Sequence, residues 1–297
     1  MRYTGRLDLA WWVGMKTILI TGATSGIGLA AARQLAAGGD RLVLVGRNPE
    51  KLAVTAERVR AAGAGAVDTL ECDVSSLDSV RRLAAAVLET CPRLDVLANN
   101  AGGFFWRRTE TSEGVESTFA TNHLGGFLLT ELLLERLVRS APARVVFTSS
   151  VMHYGVSLDV DDLGCARGYS GQRAYSRSKL ANVLYVRELA RRSAGTGVTV
   201  NAFHPGAVST GIWDAAPWFA KPVMEVFKRV FLVSAEEGGR RLTYLASAPD
   251  PAAVTGCYFQ RDRVKAPSRV AQDDALGDRL TAVCAELAGL PERSSPR

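Results

Sequence analysis

Compact apolar runs alternate with longer segments in which apolar residues return every three or four positions. The runs lie at Thr17 to Thr21, Arg41 to Gly46, Val67 to Cys72, Leu94 to Ala98, Arg144 to Thr148 and Val198 to Phe203, with a last short one at Gly256 to Phe259. Each is too short for a helix and reads as a strand. Between them the spacing predicts helices over Leu29 to Ala37, Pro49 to Ala62, Ser76 to Leu88, Glu116 to Arg139, Tyr175 to Arg192 and Ala235 to Ala248. Strand–helix alternation of this kind predicts an α/β fold of Rossmann type. It is a doubly wound parallel sheet of about seven strands, with helices on both faces and right-handed crossovers. No internal repeat or linker breaks the pattern. We therefore expect one domain over residues 1–297, with a core spanning roughly 15–260, an N-terminal extension 1–15 and a substrate lid near 207–235.

Composition narrows the class without naming an activity. The chain is 47% hydrophobic and 22% charged, an ordinary globular balance. Its formal charge of +6 is spread out, and no dense Lys/Arg block points to nucleic acid. Five cysteines include no C-x-x-C pair and there are three histidines, so neither a disulfide framework nor a metal site is expected. A reducing, cytoplasmic setting fits that usage. The apolar stretch Leu9 to Ile20 is short and broken by Lys16, so it does not span a bilayer. Trp11 and Trp12 are expected to pack on the domain surface, with membrane-surface contact as the alternative.

The first strand runs directly into Gly22-Ala23-Thr24-Ser25-Gly26-Ile27-Gly28 and then a helix. Strand, glycine turn and helix N-terminus together receive phosphate, because free backbone N–H groups and the helix dipole face the anion. The spacing is G-x-x-x-G-x-G, and Gly22, Thr24, Ser25, Gly26, Ile27 and Gly28 are the expected dinucleotide contacts. The second strand ends at Gly46-Arg47-Asn48, with no carboxylate for a ribose 2′-hydroxyl. Arg47 can pair with a 2′-phosphate, so NADP(H) is expected over NAD(H), with Asn48 beside it. Asp73 and Val74 close the third strand, and Asn99-Asn100-Ala101-Gly102 the fourth. Asp73 can reach an adenine edge, and Asn99, Ala101 and Gly102 border the cofactor; local turn bonding is the competing reading. Pro205-Gly206 after the sixth strand turns the chain over a nicotinamide ring, with Val208 and Thr210 at its carboxamide. His204 is expected to be structural.

Tyr175 and Lys179 stand four residues apart on one helical face. A free phenol titrates near ~10 and is a poor base at neutral pH; a neighbouring ammonium lowers that value. Ser149 and Ser150 end the fifth strand, where a hydroxyl can polarise a carbonyl. Asn122 interrupts an apolar pattern and needs a partner. Asp159, Asp161 and Asp162 read as loop solvation. The aromatic, apolar stretch 212–233 has the character of a lid over an apolar substrate.

Taken in order, Thr21 to Gly28, Asn99 to Gly102, Ser149-Ser150, Tyr175-x-x-x-Lys179 and Pro205-Gly206 resemble the short-chain dehydrogenase/reductase family over roughly residues 15–260. Arg144 to Ser150, Tyr175 to Asn182 and His204-Pro205-Gly206 are similar to its retinol dehydrogenase-like branch. The resemblance implies a catalytic tetrad of Asn122, Ser150, Tyr175 and Lys179. It also implies that Lys179 contacts the nicotinamide ribose and that Asn122 holds a water. It further implies a homodimer or homotetramer formed through the long helices near 116–139 and 175–192. The expected activity is hydride transfer between NADP(H) and a hydrophobic alcohol, aldehyde or ketone. The alternatives are a silent NADP(H)-binding sensor or scaffold, and a reductase of the same fold acting on a C=C bond.

Overall fold

A computed structural model describes residues 14–206 and 234–291. The extension with Trp11 and Trp12, the expected nicotinamide contacts Val208 and Thr210, and the apolar stretch 212–233 lie outside the described residues. The elements alternate as expected: β1 (Thr17–Thr21), α1 (Gly26–Ala36), β2 (Arg41–Gly46), α2 (Pro49–Ala61), β3 (Ala66–Glu71), α3 (Leu77–Thr90) and β4 (Val96–Asn99). A helical turn at Ser117–Phe119 and a π-turn at Ala120–Leu124 lead into α4 (Gly125–Arg139). Then come β5 (Ala143–Thr148), α5 (Gly171–Arg192), β6 (Val198–His204), α6 (Ala235–Ser247), β7 (Cys257–Gln260), β8 (Arg263–Lys265) and α7 (Asp274–Leu287).

Among the described residues the sheet holds eight strands in the order β3-β2-β1-β4-β5-β6-β7-β8. Strands β1 to β7 pair in parallel, and β8 turns back antiparallel on β7. The extra strand relative to the expected seven is three exposed residues at the edge, too short and polar to carry an apolar signal. The central strands are buried throughout, whereas edge strand β3 is half-exposed, which accounts for its polar Asp68, Thr69 and Glu71. Helices α3, α4, α5 and α7 cover one face, around Leu97, Val145 and Tyr185. Helices α1, α2 and α6 cover the other, around Ile18, Leu44 and Phe203. Strand order reverses between β1 and β4, so the carboxyl ends of these strands flank a crevice.

Helix α5 begins at Gly171 rather than at Tyr175. Helix α7, which periodicity alone left unassigned, is capped by Asp273 accepting from Leu276 N–H at 3.0 Å and buries Leu280 and Cys284. It lies along α5, where Arg187 and Arg191 pair with Asp274 at 3.1 and 2.8 Å. Among the described residues no helix is long and apolar enough to cross a membrane.

Candidate active site

The glycine turn after β1 is pinned from two strands. The Thr21 hydroxyl accepts from the backbone N–H groups of Asn100 and Ala101, both at 3.0 Å. The Asn100 side chain donates to the Thr21 carbonyl at 3.0 Å. These bonds hold the β4 turn against the β1 turn, leaving no room for a Cβ at two glycines. At Gly22, which has φ +67°, it would stand 2.9 Å from Ala101 Cα; at Gly28 it would stand 2.2 Å from the Gly22 carbonyl oxygen. Ser25 caps α1 with extended backbone, and its hydroxyl makes no capping bond. Thr24, Ser25, Gly26 and Ile27 thus present a tight turn, an uncommitted hydroxyl and the first N–H groups of an eleven-residue helix. That donor set suits a pyrophosphate.

The other expected cofactor residues divide in two. Arg47 is exposed at the end of β2, and Asn48 beside it caps α2 by accepting from Lys51 N–H at 2.8 Å. Asp73 accepts from both the backbone and the hydroxyl of Ser75, at 3.0 and 2.7 Å, which is turn bonding. Asn99 is buried and donates to the Thr130 hydroxyl at 2.9 Å, with its Oδ1 unpartnered. That oxygen borders a cavity of about 10 Å³ lined also by Thr121, Asn122 and Val74, room for about one water. Ala101 and Gly102 follow at the crevice, and Gly102 lies close to Asn122 and Lys179. Pro205 and Gly206 follow β6 with Gly206 at φ +99°. His204 before them is buried with Nδ1 unpartnered, and burial holds its pKa down at about 4.

Asn122, Ser150, Tyr175 and Lys179 converge at the same edge. The π-turn that carries Asn122 aims its amide at the β4 loop: Oδ1 accepts from Gly103 N–H at 2.7 Å and Nδ2 donates to the Gly103 carbonyl at 2.9 Å. Nδ2 also donates to the Ser178 hydroxyl at 3.1 Å, which in turn donates to the Tyr175 carbonyl at 2.7 Å. Lys179 is buried, lies 5.4 Å from the centre of the Tyr175 ring, and donates to the Thr148 carbonyl at 3.0 Å. Asn182 bridges the two halves, donating to the carbonyls of Asn122 at 3.1 Å and Thr148 at 3.3 Å. Ser149 points away, donating to the Lys179 carbonyl at 2.8 Å. Ser150 Oγ accepts from Met152 N–H at 3.2 Å, and its hydroxyl is turned toward the Tyr175 phenol, whose pKa it lowers.

The electrostatics depart from expectation at Tyr175. Burial raises the phenol's pKa above its ordinary value, and the Ser150 hydroxyl opposes that rise without cancelling it. Lys179 does not bring the phenol below its ordinary value here. Its own amine is desolvated and pushed down to about 8. Tyr175 is therefore a protonated phenol at neutral pH, suited to donating a proton.

Sequence reasoning assigns no role to Ser178, Asn182 or Phe104. The first two stand one residue before and three after Lys179, a helical spacing that brings them to the same network. Phe104 lies on the loop after Gly102-Gly103, with its ring 5.5 Å from that of Tyr175. Gly171 packs so closely on this loop that a Cβ would stand 2.4 Å from the Phe105 carbonyl oxygen. On the neighbouring face of α5 a cleft of about 370 Å³ is lined by Met152, Tyr154, Val156, Gln172, Arg173 and Ser176.

A phosphate-binding βα turn at a switch point, beside a phenol, an amine and a hydroxyl, defines an NAD(P)-dependent oxidoreductase of the α/β class. The family model described as short chain dehydrogenase matches residues 16–217. The chain belongs to that family, in its retinol dehydrogenase-like branch. It is 40% identical over 288 residues to mouse retinol dehydrogenase 14, covering 93% of this chain and 86% of that one. It is 42% identical over 278 residues to a Streptomyces sp. (strain C5) protein named, provisionally, as the daunorubicin C-13 ketoreductase DnrU, covering 92% and 93%. The Pseudomonas aeruginosa RhlG/NADP active-site complex superimposes with a TM-score of 0.68 at 30% identity, covering 84% of this chain and 96% of that one.

Proposed function

We propose that the protein is an NADP(H)-dependent carbonyl reductase and alcohol dehydrogenase acting on hydrophobic substrates. The observation that carries this reading is the convergence of Ser150, Tyr175 and Lys179 at the sheet edge that also carries the Gly22–Gly28 turn. Thr24 to Ile27 would hold the pyrophosphate, Arg47 the 2′-phosphate, Lys179 the nicotinamide ribose and Pro205-Gly206 the ring. The relative bound to NADP and the absence of a carboxylate at Gly46-Arg47-Asn48 both favour NADP(H) over NAD(H). Bound NADPH supplies the hydride.

The residues supply the rest. Ser150, its lone pair engaged by Met152 N–H, donates its hydrogen to the substrate oxygen and stabilises the charge that develops there. Tyr175 gives that oxygen its proton in reduction and takes it back in oxidation. The Lys179 ammonium stabilises the phenolate left behind. Asn122 clamps the Gly103 loop and, through Ser178, the backbone at Tyr175. The relatives are named for retinol and for the C-13 ketone of daunorubicin, an alcohol and a ketone on extended carbon skeletons. Residues Phe104, Met152 and Val156 supply an apolar surface near the reacting groups.

The experiment is NADPH oxidation against a panel of apolar aldehydes and ketones, with the Tyr175→Phe variant alongside. The expected result is turnover by the wild type and a loss of about a thousandfold or more in the variant, with NADPH binding retained. Full turnover by the variant would remove Tyr175 from its role. NADPH binding without turnover of any carbonyl or alcohol would favour a sensor, and products saturated at a C=C bond would favour the other reaction.

A further inference from the structure

Three residues past Ser150 the chain buries His153 completely. Both ring nitrogens are engaged. Nδ1 lies 2.6 Å from the Ser150 carbonyl oxygen, and the Ser268 backbone N–H donates to Nε2 at 3.2 Å. A backbone N–H can only donate, so Nε2 carries no hydrogen. The ring hydrogen is therefore on Nδ1, donated to the Ser150 carbonyl. One neutral tautomer satisfies both bonds, and burial favours the neutral form by holding the imidazole below its usual range. The ring is fixed sideways as well, with Tyr154 at 4.1 Å and Tyr258 at 4.6 Å between ring centres. Tyr154 itself donates to the Ala266 carbonyl at 2.7 Å. A C-terminal segment thus grips the turn that carries Ser150 at two points.

We propose that His153 is a positioning residue: it ties the Ser150 backbone to the segment around Ser268 and so fixes where the Ser150 hydroxyl points. This rests on the reading of Ser150 given under Proposed function. The Ser150 carbonyl accepts both the His153 ring hydrogen and the His153 backbone N–H, the latter at 3.2 Å. The backbone bond belongs to a single short turn at Val151–His153, and the ring, through its bond from Ser268 and its packing on Tyr258, ties that turn to β7 and the chain beyond it. The Ser150 hydroxyl rides on this turn through its bond from Met152 N–H. A shift of the turn by a fraction of an ångström displaces the donor from the substrate oxygen, and such misplacements are costly in transition-state stabilisation.

The test is a double-mutant cycle on the full chain. Asn at 153 puts an amide donor near the Nδ1 position and keeps the tie to Ser150; Gln puts its oxygen near the Nε2 position and loses that tie. The expected result is that His153→Gln lowers kcat about ten- to a hundredfold per NADPH-binding site. KM and the NADPH dissociation constant should stay within about twofold, and His153→Asn, which keeps the bond to Ser150 but loses the one from Ser268, should lower kcat as well. In a Ser150→Ala background, followed by single turnover, His153→Gln should cost less than about twofold more, because the group it positions is gone. Tyr154→Phe, which loosens the same turn without touching the ring, should show a smaller loss that also vanishes with Ser150→Ala. Equal losses in both backgrounds would mean a general structural role and would overturn the inference, as would an unchanged kcat in His153→Gln. A wild type that turns over no carbonyl overturns the proposed function, and this inference falls with it. An active wild type with an additive cycle overturns this inference alone.

Discussion

Lys179 Nζ lies 5.4 Å from the centre of the Tyr175 ring and hangs from the Thr148 carbonyl at 3.0 Å. The amine is placed by β5 and the phenol by the first turns of α5, so a backbone carbonyl sets their spacing. Desolvation puts the amine near 8, while burial keeps the phenol above its ordinary value. Tyr175 therefore stays protonated through neutral pH and does not limit reduction there. The group that changes charge in the working range is Lys179. With NADPH saturating, kcat/KM for a carbonyl should be level below about pH 8 and fall above it with a one-proton slope as the ammonium is lost. Lys179→Met should lower the plateau by about a hundredfold and erase the inflection. An alkaline limb that survives in Lys179→Met would assign it to another group.

Arg47 stands exposed where β2 ends, while its neighbour Asn48 is committed to capping α2. If the guanidinium meets a 2′-phosphate, Arg47→Ala should raise KM for NADPH about ten- to a hundredfold, the loss of one strong charged hydrogen-bonding contact. NADH kinetics should change less than about twofold. Equal changes for both cofactors would show that Arg47 does not read the phosphate.

Two histidines outside the proton path make the fold sensitive to acid. His123 and His204 are both held down at about 4 from 6.5, in each case first by burial. His123 bonds Asn182 at 2.8 Å, and His204 also feels Arg241 and His153. Each group takes up its proton more readily unfolded than folded. The stability it contributes is whole above pH 6.5 and is lost as pH falls toward 4. The loss is at most about 3 kcal/mol per histidine. Urea midpoints measured from pH 7 to 4.5 should fall across that window, and replacing both histidines with Gln should shrink the fall by more than half. An equally steep fall in the double variant would place the acid sensitivity in the carboxylates.

The parts of this molecule legible from sequence are those where one residue type has one physical use. Continuous apolar runs such as Thr17–Thr21 belong to buried parallel strands, and the glycines at 22 and 28 stand where a Cβ would strike backbone. Asn122 was legible as a polar residue out of place, but its partner, the Gly103 backbone, is brought to it only by the fold. The direction of the Tyr175 shift was not legible, because spacing reports the neighbouring amine and not the burial that outweighs it. Asp73 and Asn99 show the same limit: a polar residue at a strand end suits a ligand or its own turn equally well until its partners are known. His153 lies between the fifth strand and the helix that carries Tyr175, where the apolar pattern predicts no element. Its signal is a histidine three residues after Ser150, and its meaning depends on Ser268.

Helix α7 bears on self-association. Leu276, Leu280, Cys284 and Leu287 recur at intervals of four and three, a helical stripe behind an Asp273 cap. Leu280 and Cys284 of the stripe are buried against the body of the protein while Leu287 stays exposed, and α7 lies on α5 with Gly277 beside the Leu184 carbonyl and Arg191 bonded to both Asp274 and Asp278. As a result α5 is buried almost continuously from Ser178 to Ala190 by its own chain. On α4 the residues left exposed are Glu135 and Arg139, both charged. Among the described residues α5 thus offers no open apolar face and α4 offers only the half-exposed Leu132, Leu134 and Val138, whereas the family resemblance implies association through this helix pair. The exposed ion pairs contribute little, so the cover depends on the buried Leu280 and Cys284. The protein should therefore run as a monomer of 31.8 kDa in light scattering across micromolar concentrations. Leu280→Asp should cost about 3 kcal/mol or more of stability, lift α7 and promote association through the exposed face. A stable wild-type dimer whose cross-links join residues 125–139 and 171–192 of two copies would show that α7 gives way in solution.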